Sequence, residues 1–198
     1  MPRRTGVQVG PTQYFTTAMD LLAAHGPAEL KIGTLCGALG VTSGSFYHHF
    51  DGWSGFVRGL LEFWEVEQTA RIVALTQSAT DDPVERLDVL KRLAVDLPHA
   101  AEAAIRSWAA LDGDVGLALR RIDARRLAAL EDVLAGAIPD RAVAARLASF
   151  GQSMLVGFQQ IHHPPDPELL RRLLDDYHAL VLGHVDPRGG GHPVVSES

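Results

Sequence analysis

Residues Gly40 to Phe50 read G-V-T-S-G-S-F-Y-H-H-F, the order of a tight turn followed by a very short helix. Gly40 closes an apolar segment, Leu30 to Leu39, and takes a positive φ without steric cost. Val41 is a small apolar plug between the helices on either side of the turn. Thr42 and Ser43 both suit an N-cap, because a hydroxyl accepts a hydrogen bond from a free first-turn amide. Ser45, Tyr47, His48 and His49 place hydroxyls and imidazoles on the helix itself. A helix this short is marginal alone, so it needs anchoring, and Phe46 and Phe50, four residues apart, supply two anchors. A short polar helix held from behind by aromatic rings is the shape that enters a DNA major groove.

Working outward, an amphipathic helix is predicted from about Thr12 to His25, with Phe15, Ala18, Met19 and Leu22 on one face. Gly26-Pro27 stops it. A second helix, near Lys31 to Leu39, contains Gly33 and Gly37, read as close-packing positions. Asp51 is a candidate cap for a long helix from Gly52 into the seventies. Asp82-Pro83-Val84-Glu85 is a strong helix start, with a cap, a proline at the first position and a glutamate at the third. Further helices are expected from Pro98 to Leu111, from Asp114 to about Ala137, from Pro139 to about His162, and from Asp166 to about Gly183. That makes nine helices and no strand, an all-α fold. Residues 1–10 are expected to be a flexible arm and 186–198, with three consecutive glycines, a disordered tail.

Composition agrees. Of 198 residues, 46% are hydrophobic and 21% charged, which is ordinary for a globular chain. The net charge of −6 is unevenly spread. Residues 1–60 hold Arg3, Arg4, Lys31 and Arg58 against Asp20, Glu29 and Asp51, a net of +1, so the acid lies in the remainder. Cys36 is the single cysteine, which rules out an intrachain disulfide and fits a reducing cytoplasm. There is no signal-peptide pattern and no apolar run long enough to span a bilayer, so a cytoplasmic location without membrane partners is expected.

The order helix, glycine stop, L-K-I-G-T-L-C-G-A-L-G-V, T-S-G-S, F-Y-H-H-F, long helix resembles the DNA-binding domain of the TetR family of transcriptional regulators, over roughly Pro11 to Leu61. The resemblance implies a two-domain architecture: a helix-turn-helix head over 11–52 and a ligand-binding and dimerisation body over 53–185. It also implies that Thr34, Thr42, Ser43, Ser45, Tyr47 and His48 face DNA, with Tyr47 and His48 reaching phosphate and Ser43 and Ser45 approaching base edges. Three positions depart from the common pattern. Trp53 stands where a lysine is usual and donates only an indole N–H. Lys31 replaces a hydroxyl residue and restores one charge. Ser43 stands where a basic residue is frequent.

In the body, Leu170, Leu173, Leu174, Tyr177, Leu180 and Val181 form an apolar stripe on the last helix. Leu147, Phe150, Gly151, Met154, Leu155 and Phe158 do so on the helix before it. Doubling that hairpin across a two-fold makes a four-helix bundle, and the resemblance implies the same homodimer, so Leu147, Phe158, Leu170, Leu173, Tyr177 and Val181 are the candidate interface. The resemblance also implies a small-molecule effector, for which Trp64, Trp108, Met154 and Phe158 are candidate contacts, although apolar residues at this spacing equally suit plain core. His162, His163, His178 and His184 lack the spacing that puts imidazoles on one helix face, so no metal is expected, nor any cofactor. No phosphate loop or nucleophile motif argues for an enzyme. The expected function is a ligand-responsive regulator, most simply a repressor, binding a near-palindromic double-stranded DNA operator as a homodimer. The alternative is a helical small-molecule-binding or interaction protein with a degenerate DNA-binding head.

Overall fold

The computed structural model describes residues 9–185. Arg3, Arg4 and most of the expected arm, and the expected tail, lie outside the described residues.

Among the described residues every regular element is helical: α1 (Pro11–His25), a one-turn 3₁₀ helix (Pro27–Glu29), α2 (Ile32–Leu39), α3 (Ser43–His49), α4 (Gly52–Glu65), α5 (Arg71–Ala79), α6 (Pro83–Val95), α7 (His99–Ala109), α8 (Gly113–Ala137), α9 (Arg141–Ile161) and α10 (Pro167–Leu182). A π-helical turn, Val66–Ala70, joins α4 to α5, so those two form one rod and the nine expected helices are present. A π turn widens the backbone by one residue and interrupts the regular hydrogen-bond ladder, which no periodicity in the sequence announces.

Four body helices start on the same device. Asp82 accepts a hydrogen bond from the Val84 amide at 2.8 Å. Asp112, Asp140 and Asp166 each accept from two first-turn amides of α8, α9 and α10. Such a cap is worth ~1 kcal/mol. α9 therefore begins after Asp140 rather than at Pro139. In the head the turns are made by glycine instead. Gly40 sits in the left-handed region at φ 65°, and neither Thr42 nor Asp51 makes a side-chain cap bond although each occupies a cap position.

One apolar core runs through the head into the body. It joins Val9, Tyr14, Met19 and Leu22 to Leu35, Phe46, Phe56, Leu60 and Trp64, and continues into Ala101 and Ile105 of α7 and Val115 and Ile122 of α8. α1 thus packs on α7 as well as on α2 and α4. Val9, inside the span expected to be a free arm, is buried in this core. At Gly59 a Cβ would lie 2.8 Å from the Phe15 ring, so α1 and α4 approach closely there. Gly33 and Gly37 correct the expectation: a Cβ on either would meet nothing within 4 Å. Two further clusters fill the body. One gathers Leu87, Val133, Leu134, Ile138, Leu147, Tyr177 and Val181. The other gathers Ala94, Phe158, Leu170 and Leu174.

Candidate functional site

α3 is seven residues long and stands on an aromatic platform. Tyr14 is fully buried, with its ring 6.0 Å from Phe46, 5.8 Å from His49 and 5.3 Å from Phe50. Phe46, Phe50 and Phe56 pack on one another at 5.1–5.5 Å. The Tyr14 hydroxyl lies 3.0 Å from the Ser45 Oγ, tying the middle of α3 to α1. Edge-to-face ring pairs contribute roughly 0.5–1.5 kcal/mol each beyond area burial, enough to hold a helix that would not persist alone. The outer side of α3 is polar: Ser43, Tyr47 and His48 are exposed, and Tyr47 is 61% exposed. A large ring turned to solvent on a well-packed helix is available to a partner.

Beneath the head, a cavity of ≈ 130 Å³ opens in the body. Its wall is largely apolar and draws on α5, α6, α7, α8, α9 and α10, with Ile72, Leu90, Leu130, Leu155 and Leu174 among its residues. Gln68 and Thr69 of the π turn belong to the same wall. Behind it lies a buried polar network centred on Glu102. Arg126 reaches the Glu102 carboxylate at 2.6 and 3.1 Å, Gln159 Nε2 donates to it at 2.7 Å, and Trp64 Nε1 at 3.3 Å. Burial alone would raise the Glu102 carboxyl, but the Arg126 charge and these hydrogen bonds outweigh it and hold the group below the usual carboxylate range. Arg126 also donates to Thr69 Oγ1 at 3.0 Å and to the Gln68 carbonyl at 3.1 Å, so it pins the π turn. Arg121 and Arg125, on the same helix, grip Glu65 at 2.6 and 3.4 Å. Three guanidiniums of α8 thus hold the junction between the rod that leaves the head and the wall of the cavity.

Residues 15–57 match the family model described as bacterial regulatory proteins, tetR family. Over those residues the head is of the TetR type. Regulators of this family are non-enzymatic DNA-binding proteins, consistent with the class expected from the sequence. The whole fold is shared with solved structures at low identity. A transcriptional regulator from Rhodococcus sp. Rha1 is 18% identical, with 90% of this chain and 98% of that one covered and a TM-score of 0.74. A TetR-family transcriptional regulator from Streptomyces coelicolor is 16% identical, with 88% of each chain covered and a TM-score of 0.74. A transcriptional regulator from Saccharomonospora viridis, solved with choline, is 17% identical, with 84% and 94% covered and a TM-score of 0.67. No curated protein matches the sequence.

Within the TetR-type head, the expected contacts divide. Thr42, Ser43, Tyr47 and His48 are exposed on and around α3, and Thr34 is half-buried on α2. Ser45 is half-buried and engaged by Tyr14, which gives it a share in positioning α3. Lys31 is exposed but lies 3.5 Å from Glu29, so its charge is already partly answered. Trp53 stacks on Phe56 at 5.3 Å and borders a crevice between α4 and the start of α8.

The body candidates are placed differently from the reading of the sequence. None of Trp64, Trp108, Met154 and Phe158 lines the cavity. Trp64 and Trp108 belong to the core shared by head and body, while Met154 and Phe158 pack between body helices. Their neighbours on α9, Gly151, Gln152, Leu155, Val156 and Gln159, face it instead. Leu147, Phe158, Leu170, Tyr177 and Val181 are buried within a single chain, because α10 spends its apolar stripe on α6 and α9; only Leu173 is half-exposed. The large apolar residues left open on this hairpin are Phe150, Ile161, Leu180 and Leu182. The Glu102–Arg126–Gln159 network went unread. Its signal was a lone glutamate inside the apolar run His99-Ala-Ala-Glu-Ala-Ala-Ile105, where a carboxylate has to find a buried partner. His178 packs against Asp88 and Lys91, at 3.2 and 3.3 Å.

Proposed function

We propose that the protein is a ligand-responsive transcriptional regulator, a repressor, that binds a near-palindromic operator in the cytoplasm as a homodimer. The observation that carries this reading is the joint arrangement of head and cavity. A polar, exposed α3 is braced by a tyrosine and three phenylalanines, and the rod that leaves it runs through a π turn forming part of the cavity wall. Tyr47, His48, Thr42 and Ser43 contact DNA, with Thr34 and Lys31 flanking them from α2. Trp53 supplies at most an indole N–H. These are mainly neutral donors, so they position the head more than they attract it.

A second chain docks on the α9–α10 face. Phe150, Gly157 and Ile161 on α9 fall seven and four residues apart, and Leu173 and Leu180 on α10 seven apart, so each set follows one helix face. A two-fold copy of this face closes a four-helix bundle and sets the spacing of the two heads.

An effector weakens DNA binding only by preferring a conformation in which that spacing is wrong. The cavity wall contains Gln68 and Thr69, and Arg126 holds both to α8. A ligand that shifts this wall therefore acts on the rod carrying the head. The choline complex of the Saccharomonospora viridis regulator shows a fold of this kind holding a small molecule. The engagement of Lys31 by Glu29 favours, as a second reading, a small-molecule-binding protein whose head has lost DNA affinity. Selection of genomic DNA fragments by the purified chain, followed by binding to the selected fragment with and without ligand, separates the two.

A further inference from the structure

Four buried side-chain polar atoms have no hydrogen-bond partner among the described residues: Arg106 Nε, Gln152 Oε1, Gln159 Oε1 and His178 Nε2. All four belong to residues that line the cavity. Buried polar groups are costly unless paired; these atoms are themselves sealed from the void, and their concentration on side chains that border it points to a ligand that draws them to its surface.

The orientation of the two amides is fixed by their neighbours. Gln159 Nε2 lies 2.7 Å from a Glu102 carboxylate oxygen, and turning the amide over would set oxygen against oxygen. Gln152 Nε2 donates to the Asp123 carbonyl at 3.1 Å, with the same consequence. Both Oε1 atoms therefore remain acceptors in want of a donor. Arg106 Nε is a donor in want of an acceptor, since guanidinium nitrogens only donate. A hydroxyl does both.

The charges at the wall are already matched. Arg106 pairs with Asp123 at 2.7 Å, Arg126 with Glu102 at 2.6 Å, and Lys91 with Asp175 at 3.0 Å and Asp88 at 3.3 Å. An ionic ligand would shed its water here and meet no unpaired counter-charge. The volume, ≈ 130 Å³, is close to the ~150 Å³ at which an apolar cavity takes one benzene ring.

We propose that the cavity binds an uncharged, mainly apolar molecule of about one ring that carries two or more hydroxyl groups, with Gln152 and Gln159 accepting from its hydroxyls and Arg106 donating to one. This deepens the effector reading above and rests on it for regulation, though not for binding.

The test is isothermal titration calorimetry on the full chain with four probes: resorcinol, toluene, benzoate and benzyltrimethylammonium. Resorcinol should bind at least about tenfold tighter than toluene, one net hydrogen bond's worth, and the two ions more weakly still. Toluene equal to resorcinol, either ion tighter than resorcinol, or no binding by any probe overturns the proposal. Gln152→Leu, checked for an unchanged thermal transition without ligand, should lose most of the resorcinol preference while toluene binds as well as before or better. Equal weakening of resorcinol and toluene would make Gln152 a structural residue only and overturn its assignment. A Gln152→Leu chain that does not fold leaves the wild-type probe order as the deciding result. If resorcinol binds as expected but leaves operator affinity unchanged, the ligand class stands and the effector reading falls.

Discussion

Replacing Arg126 with Met should be among the most damaging single changes available in this protein. The guanidinium supplies two hydrogen bonds and the counter-charge to Glu102, which is 1% exposed. It also supplies the bonds to Thr69 and to the Gln68 carbonyl in the π turn. Methionine keeps most of the apolar stem. It leaves a buried carboxylate with only the Gln159 amide and the Trp64 indole as donors. Breaking a buried pair from one side costs about 3–5 kcal/mol, a large part of the 5–15 kcal/mol typical of folded domains. The assay is urea denaturation followed by circular dichroism at fixed chain concentration, since a dimer's stability depends on it. The pH dependence has a definite sign. In the wild type the Glu102 carboxyl is held down, so its contribution is present above the ordinary carboxylate value of 4.5 and is lost as pH falls through the lower folded value. In Arg126→Met burial is opposed only by the Gln159 and Trp64 hydrogen bonds and should raise the carboxyl, so the variant regains stability as pH falls through that raised value. The gap between the two proteins should therefore narrow in acid. Glu102→Gln in the Arg126→Met background should recover part of the loss at neutral pH, because the buried charge is gone. A variant within ~1 kcal/mol of wild type at pH 7 would refute the reasoning, since that is the scale of a single ordinary hydrogen bond.

Other outcomes are expected from the same structure. Tyr47→Phe should weaken operator binding by ~1 kcal/mol in fluorescence anisotropy with folding intact, and unchanged affinity would remove the hydroxyl from the DNA contacts. Phe150→Glu with Leu180→Glu should give a monomer in sedimentation by placing charge at the proposed interface, whereas a wild-type protein that is itself monomeric at micromolar concentration would contradict the dimer. Gly151→Ala should cost about 1–3 kcal/mol through overpacking, because its Cβ would fall 2.6 Å from the Tyr177 ring, whose hydroxyl is held by the Leu147 carbonyl at 2.9 Å; a melting temperature equal to wild type would show that the ring moves aside freely.

The helices were legible where the chain carries local punctuation. Asp82-Pro83 and Asp166-Pro167 announce their starts, Gly40 announces the turn, and Phe46 and Phe50 announce the anchoring of α3. The body's interior was not legible, for a physical reason. An apolar stripe at helical spacing states that a face is buried without saying against what. On α10 it is buried against α6 and α9 of the same chain, so Leu170, Tyr177 and Val181 are unavailable to a partner. On α9 the residues beside Met154 and Phe158, rather than those two, meet the cavity. The Glu102 network joins positions 24 and 57 residues apart, which no local pattern connects. Gly33 and Gly37 misled in the opposite direction, since open space surrounds a glycine as readily as a close contact does.

Binding of the purified chain to DNA fragments selected from its own genome, titrated against salt, tests the central claim most directly. A near-palindromic site occupied by two chains is expected. Lys31 and, outside the described residues, Arg3 and Arg4 give a dimer about six candidate cations, and each phosphate neutralised contributes about −0.9 to the slope of log affinity against log salt. The slope should therefore be no steeper than about −5, and flatter where Lys31 stays with Glu29. Binding without sequence preference, or no enrichment of any fragment at low salt, would contradict the account and leave a helical body that senses a small molecule without reading DNA.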